Sequence, residues 1–191
     1  DRVRVGTIPH RVPQKGVRIN ILPCKVVHHR LKGFDISMNS TIDGLAQVRW
    51  PGRFQVLSHH PLLVVDGAHN PDAARRLRES LEQYFDFDRA TLVIGASEDK
   101  DITGIVSELS PFFDEVIATR SYHPRAMAPE SIMAEFERQG VDARAIGTVS
   151  EALSLSGTLA GTGGLICVAG SLFMVAEAIE QANDMGLLIE W

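Results

Sequence analysis

The feature that most constrains this chain is a set of short apolar runs that do not alternate. TLVIGA at 91–96 and LICVAG at 165–170 are the fullest of them. A strand with one wet face alternates apolar and polar residues. A strand apolar on both sides must be covered on both sides, which is the condition of a parallel sheet under two layers of helices. The segments between the runs have helical periodicity. After Asn70 as cap and Pro71 in the first turn, Ala73/Ala74, Leu77, Leu81 and Tyr84/Phe85 recur at helical spacing.

The full order predicted is strands Phe54–Ser58 and Pro61–Val65, a helix from Pro71, strand Thr91–Ala96, helix Ile102–Phe112 and strand Glu115–Thr119. Helix Pro129–Gln139, strand Ala143–Ile146, helix Ser150–Ser156, strand Leu165–Ala169 and helix Leu172–Ala182 follow. Alternation with short loops means right-handed βαβ units. The expected fold is therefore α/β: a Rossmann-like, doubly wound, mostly parallel sheet. The Phe54–Val65 hairpin adds one antiparallel edge strand.

Trp50-Pro51-Gly52 breaks the chain, and the domain boundary is expected near residue 49. Residues 1–49 read as a basic, irregular arm with a short strand near Val17–Leu22 and a short helix over 39–48. Ser40 or Asn39 would cap that helix, and Ile42, Leu45, Ala46 and Val48 give it an apolar face. Residues 50–191 form the α/β domain. Charge divides at nearly the same place: +7 over residues 1–33, −12 over the rest and −5 in all. A basic arm can touch nucleic acid or be a solvated extension. No aromatic residue lies among its charges to stack on bases, so no nucleic-acid partner is expected.

Composition narrows the class. The 191 residues are 45% hydrophobic and 23% charged, ordinary for a globular chain. Cys24 and Cys167 are far apart, which removes a disulfide scaffold and fits a reducing, cytoplasmic setting. No apolar run is long enough for a membrane helix, and DRVRVGTIPHRVP has no signal-peptide core. The chain begins without Met and is expected to be a piece of a longer protein or a shortened gene product. The pairs His28/His29 and His59/His60 lack an acid or Cys to complete a metal site, so no metal is expected on this chain.

In open α/β sheets ligands bind beyond the carboxyl ends of the strands. Asp66-Gly67-Ala68-His69-Asn70-Pro71 follows the second strand and packs a carboxylate, an imidazole and a cap into one turn. Asp66 either meets a ribose diol or satisfies turn amides. His69 lies at a helix N-terminus, where negative charge is favoured. Lys100, one of four lysines and the only one after residue 33, is either an anion partner or a loose ion pair with its acidic neighbours. Arg120 and Arg125 could clamp an anion or be surface charge. Ser171 is the cap of the last helix, and its hydroxyl and nearby amides make a carboxylate cradle. Arg53, on a Pro-Gly turn, suits a phosphate or a surface ion pair. Gly161-Thr162-Gly163-Gly164 precedes a strand and reads as a turn. There is no G-x-x-x-x-G-K-[ST] and no G-x-S-x-G, so the chain lacks the machinery for a complete reaction.

Together these residues resemble a known family. Gly44 to Phe54 (GLAQVRWPGRF), Asp66 to Pro71 (DGAHNP), Gly95 with Asp99-Lys100-Asp101, and Gly170-Ser171 look like the C-terminal domain of folylpolyglutamate synthase/dihydrofolate synthase, a member of the Mur ligase superfamily. The resemblance runs from about residue 36 to residue 183. The WPGR and DGAHNP pair in this order is the specific part.

The resemblance implies a glutamate-binding domain of an ATP-dependent ligase. ATP phosphorylates a folate or dihydropteroate carboxylate, and the α-amine of glutamate displaces phosphate. It implies that Arg53 and Asp66 serve ATP, that His69 and Ser171 bind glutamate, and that Lys100 and Asn70 lie in the site. ATP and magnesium are the implied cofactors. The magnesium ligands and the P-loop belong to an N-terminal ATPase domain, the implied partner, which has no counterpart in this chain. The chain alone is therefore expected to be inactive. A cell-wall amino-acid ligase of the same superfamily, or a non-catalytic anion-binding module of the same fold, are the alternatives.

Overall fold

The computed structural model describes residues 50–187 and, before them, residues 33, 35–37, 39–40, 43–44 and 47. The chain divides into two compact units after Trp50. In the first, residues 39–40 and 43–44 are helical, and the Ser37 hydroxyl accepts from the Ser40 amide at 3.0 Å. The Ser37 hydroxyl therefore plays the part that the sequence assigns to Asn39 or Ser40. The strand expected near Val17–Leu22 and the rest of the 39–48 helix lie outside the described residues.

The second unit holds one sheet of six strands. In chain order its elements are β1 (Gln55–His59), β2 (Leu62–Val65), α1 (Pro71–Tyr84), β3 (Ala90–Ile94), α2 (Ile102–Leu109) and β4 (Glu115–Ala118). After them come α3 (Pro129–Arg138), β5 (Ala143–Ala145), α4 (Val149–Ala160), β6 (Leu165–Ala169) and α5 (Leu172–Asp184). The strand order is β1-β2-β6-β3-β4-β5. Only β1 pairs antiparallel, with a bulge between Val56 and Ser58. The other neighbours are parallel. β6 thus inserts between β2 and β3, and the last βα corner lies beside the first.

The two apolar runs behave as their pattern requires. Every residue of β3 and β6 is buried. On one face Val93, Ile117, Ile166 and Val168 join Val149, Ala152 and Leu153 of α4 and Met174, Val175 and Ala178 of α5 in one core. Leu92, Ile94 and Cys167 are also fully buried but point the other way. On the sheet, α3 packs against β4 and β5, with α2 packed on α3 and α1 on α2. Burying one such Leu or Val side chain is worth about 1.5–3 kcal/mol.

Several boundaries differ from those read in the sequence. β1 starts one residue late because Phe54 is in the left-handed region at φ 45, where no strand continues. α2 stops at Leu109 rather than Phe112, with Ser110 as its C-cap. α4 runs on to Ala160 instead of Ser156. Gly157 is tolerated inside the helix, and Gly161 at φ 63 is the cap. The Gly163-Gly164 turn packs tightly: a Cβ on Gly164 would lie 2.3 Å from the Ala160 carbonyl oxygen. No helix among the described residues is long and apolar enough to cross a membrane.

Candidate functional site

The site is built from three turns that meet at the carboxyl ends of β2 and β6. The first, Gly52-Arg53-Phe54, is fixed from several sides. Gly52 has φ 72, its amide donates to Gln55 Oε1 at 2.8 Å, and its carbonyl accepts from Gly67 N at 2.9 Å. A Cβ on Gly52 would lie 2.7 Å from Val175 Cγ1, so the turn sits against α5 with no room for a side chain. The Phe54 amide donates to Asp66 Oδ2 at 2.8 Å. The Phe54 ring stacks on Phe85 at 5.7 Å and meets Tyr84 edge-on at 6.1 Å. A non-glycine residue at positive φ costs on the order of 1 kcal/mol, and these contacts hold it there. The result is a rigid mount for Arg53, which is half-buried.

The second turn follows β2. Asp66, half-buried, is the latch between the two turns. Burial pushes its carboxyl above the ordinary 3.8, while hydrogen bonds from Phe54 and Ala68 amides and the charges of Arg53 and His69 pull the other way. His69 Nδ1 is 2.8 Å from the Gly67 carbonyl oxygen. A carbonyl only accepts, so Nδ1 carries the proton and Nε2 is left to face a ligand. Asn70 Oδ1 accepts from Ala73 N at 2.9 Å and caps α1, with Pro71 in the first turn.

The third turn, Gly170-Ser171, opens α5. The Gly170 amide donates to the Ala68 carbonyl at 2.9 Å, which ties the first and last corners together. Ser171 is buried, and its Oγ accepts from Met174 N at 3.0 Å. As a hydroxyl it still has a proton to donate. Gly67 is where the three turns touch: a Cβ there would lie 2.5 Å from Leu172 Cδ2 and 3.2 Å from Arg53 Nη1. The guanidinium therefore rests over Gly67, between the DGAHNP turn and the start of α5.

Of the residues singled out in the sequence, Arg53, Asp66, His69, Asn70 and Ser171 gather at this junction. Lys100 lies at the corner after β3 and pairs with Asp99 at 2.7 Å. Asp101 caps α2 through Gly104 N. No group of three or more His, Cys, Asp or Glu gathers as a metal site among the described residues.

Sequence reasoning passed over Phe54, whose positive φ has no local signal. It also passed over Glu177, a carboxylate buried in α5 that accepts from the Tyr122 amide at 3.0 Å. A signal for Glu177 existed, since an acid three residues after Met174 falls on the apolar face of its helix.

The family described as Mur ligase, glutamate ligase domain matches residues 52–172, more than half of the chain. A probable bifunctional folylpolyglutamate synthase/dihydropteroate synthase of Haloferax volcanii is 38% identical over 145 residues, covering 75% of this chain and 17% of that protein. Among solved structures, E. coli FolC in complex with DHPP and ADP superposes with a TM-score of 0.76 at 28% identity, covering 84% of this chain and 38% of that one. A bifunctional folylpolyglutamate synthase/dihydrofolate synthase with Mn, AMPPNP and L-glutamate bound gives 0.69 at 28% identity, covering 86% of this chain and 38% of that one. The chain thus spans well under half the length of each of these three proteins.

Proposed function

The chain belongs to the family of Mur ligase glutamate ligase domains, and from that premise we propose that it is the C-terminal domain of a folylpolyglutamate synthase/dihydrofolate synthase. In this reading the whole ligase joins L-glutamate to a folate or dihydropteroate carboxylate at the expense of ATP. The observation that carries the reading is the Gly170–Ala68 hydrogen bond, because it brings His69, Ser171 and Arg53 to one junction of the sheet edge. Support comes from the similar synthase that binds AMPPNP and L-glutamate, since phosphates and carboxylates are the anions that an arginine and a capped helix start suit.

The reaction proceeds in two steps. The substrate carboxylate attacks the γ-phosphorus, ADP leaves, and an acyl phosphate forms. The glutamate amine then attacks the acyl carbon, phosphate leaves, and the amine loses a proton. Arg53 is permanently charged and forks onto phosphate oxygens, and its rigid mount means little reorganisation as charge develops. Asp66 holds that mount and shares its turn with His69. In a neutral His69, Nε2 accepts from the incoming amine; charged, it meets a carboxylate. The Ser171 hydroxyl and the first amides of α5 suit a glutamate carboxylate. A divalent metal, when bound, neutralises phosphate charge, and its ligands would come from the rest of the ligase.

The test is kinetic, in a full-length ligase carrying this domain. His69→Ala and Ser171→Ala should raise KM for glutamate about tenfold or more, with KM for ATP within about twofold of wild type. Arg53→Ala should lower kcat. An unchanged glutamate KM in both of the first two variants would remove this junction from the amino-acid site.

A further inference from the structure

The loop between β4 and α3 is exposed, yet its backbone is held from both sides. Tyr122 N donates to the buried carboxylate of Glu177, 55 residues away on α5. The His123 ring stacks on Phe173 with centroids 3.9 Å apart and planes 20° apart. On the other side Ala126 forms a bridge with Ser97, and Met127 N donates to the Ala96 carbonyl at 2.9 Å. Arg125 is pinned at both backbone groups: its N donates to His123 Nδ1 at 3.2 Å and its O accepts from Glu98 N at 3.0 Å. An exposed loop on a solvated edge has no need of a buried carboxylate to fix one amide. Burying a charge is costly unless it is hydrogen-bonded, and here that bond goes to the loop.

Phe173 is two residues past Ser171, so the His123 ring lies against the start of the helix that Ser171 caps. We propose that Glu177, with the His123–Phe173 stack, is a positioning device that clasps the 120–126 loop onto α5 and so sets the outer wall of the amino-acid corner. Glu177 touches no substrate in this arrangement; it acts through the loop. The proposal rests on the reading of that corner as the glutamate site.

Two measurements separate the parts. Amide hydrogen exchange by NMR on the 191-residue chain tests the clasp without any substrate. Glu177→Ala should speed exchange at Tyr122 about tenfold or more, while Glu177→Gln, which keeps a carbonyl acceptor, should stay within about threefold of wild type. Phe173→Leu, at a half-exposed position that does not endanger folding, should move the His123 ring proton shifts. Kinetics of a full-length ligase carrying the same substitutions test the role. Glu177→Ala and Phe173→Leu should each raise KM for glutamate about fivefold or more, with KM for ATP unchanged, and Glu177→Gln should restore it.

Unchanged Tyr122 exchange in Glu177→Ala together with unchanged His123 shifts in Phe173→Leu would overturn the clasp. A loosened loop with wild-type glutamate KM would overturn its role in the site. A wild-type ligase that does not use glutamate at all would instead sink the reading of the corner, and with it this role for the loop.

Discussion

At Asp66 the structural and chemical roles of one side chain meet. Its carboxylate accepts from Phe54 N and so ties the turn bearing Arg53 to the turn bearing His69. Burial raises its pKa above 3.8, so the fold prefers the protonated form more than the unfolded chain does. Between 3.8 and the raised midpoint the native state therefore binds more protons, and the stability this group contributes is full below 3.8 and lost as pH rises through the midpoint. Asp66→Asn keeps an acceptor for Phe54 N and does not titrate. Its stability relative to wild type should climb with pH across that window and level off above it, by urea unfolding of both proteins at a series of pH values. A difference that ignores pH, or falls with it, would contradict the raised midpoint. The same residue marks the reach of sequence reasoning. Asn70 and Ser171 were readable as caps because each bonds an amide three residues on. The Asp66–Phe54 bond spans 12 residues and the Glu177–Tyr122 bond 55, and no local pattern announces such partners.

Among the elements, β6 decides the site, because its carboxyl end must pack closely between those of β2 and β3 for α5 to start beside the first corner. Two glycines permit this. Gly170 has φ 109, and a Cβ there would lie 2.5 Å from the Gly95 carbonyl oxygen; a Cβ on Gly95 would lie 2.9 Å from the Thr119 carbonyl oxygen. Backbone atoms cannot swing aside as a side-chain tip can. Gly170→Ala therefore combines a strained φ with a collision and should cost about 2 kcal/mol or more. Gly157 in α4 has nothing within 4 Å of its missing Cβ and lies in a helix interior. Gly157→Ala should stabilise by about 0.5–1 kcal/mol. Chemical denaturation of the two variants checks the pair, and equal effects would mean that the close approach at Gly170 is relieved cheaply. The element types and their order followed from the apolar runs, since burial on both faces is written into composition. The ends did not. α4 runs three residues past Gly157 because Leu159 and Ala160 continue an apolar face against the core, a tertiary gain that outweighs one glycine.

For the whole molecule the question is whether this chain can turn over by itself. An acyl phosphate is hydrolysed unless water is kept away, and that requires a closed site. Here the carboxyl edge of the sheet is open: Tyr122 is 82% exposed, Phe173 49% and Leu172 48%. The sequence contains no P-loop motif, and the described residues gather no metal-binding cluster. Of the described groups at the Gly67 junction, Arg53 alone carries a permanent positive charge. One arginine cannot align a triphosphate for in-line transfer, since phosphoryl transfer depends on several fixed donors acting together. The 191-residue chain given ATP, magnesium, glutamate and dihydropteroate or folate should therefore form neither ADP nor ligated product above a protein-free blank. Product formed in step with ADP, and reduced at limiting glutamate by His69→Ala, would show that the corner of one sheet suffices for the reaction.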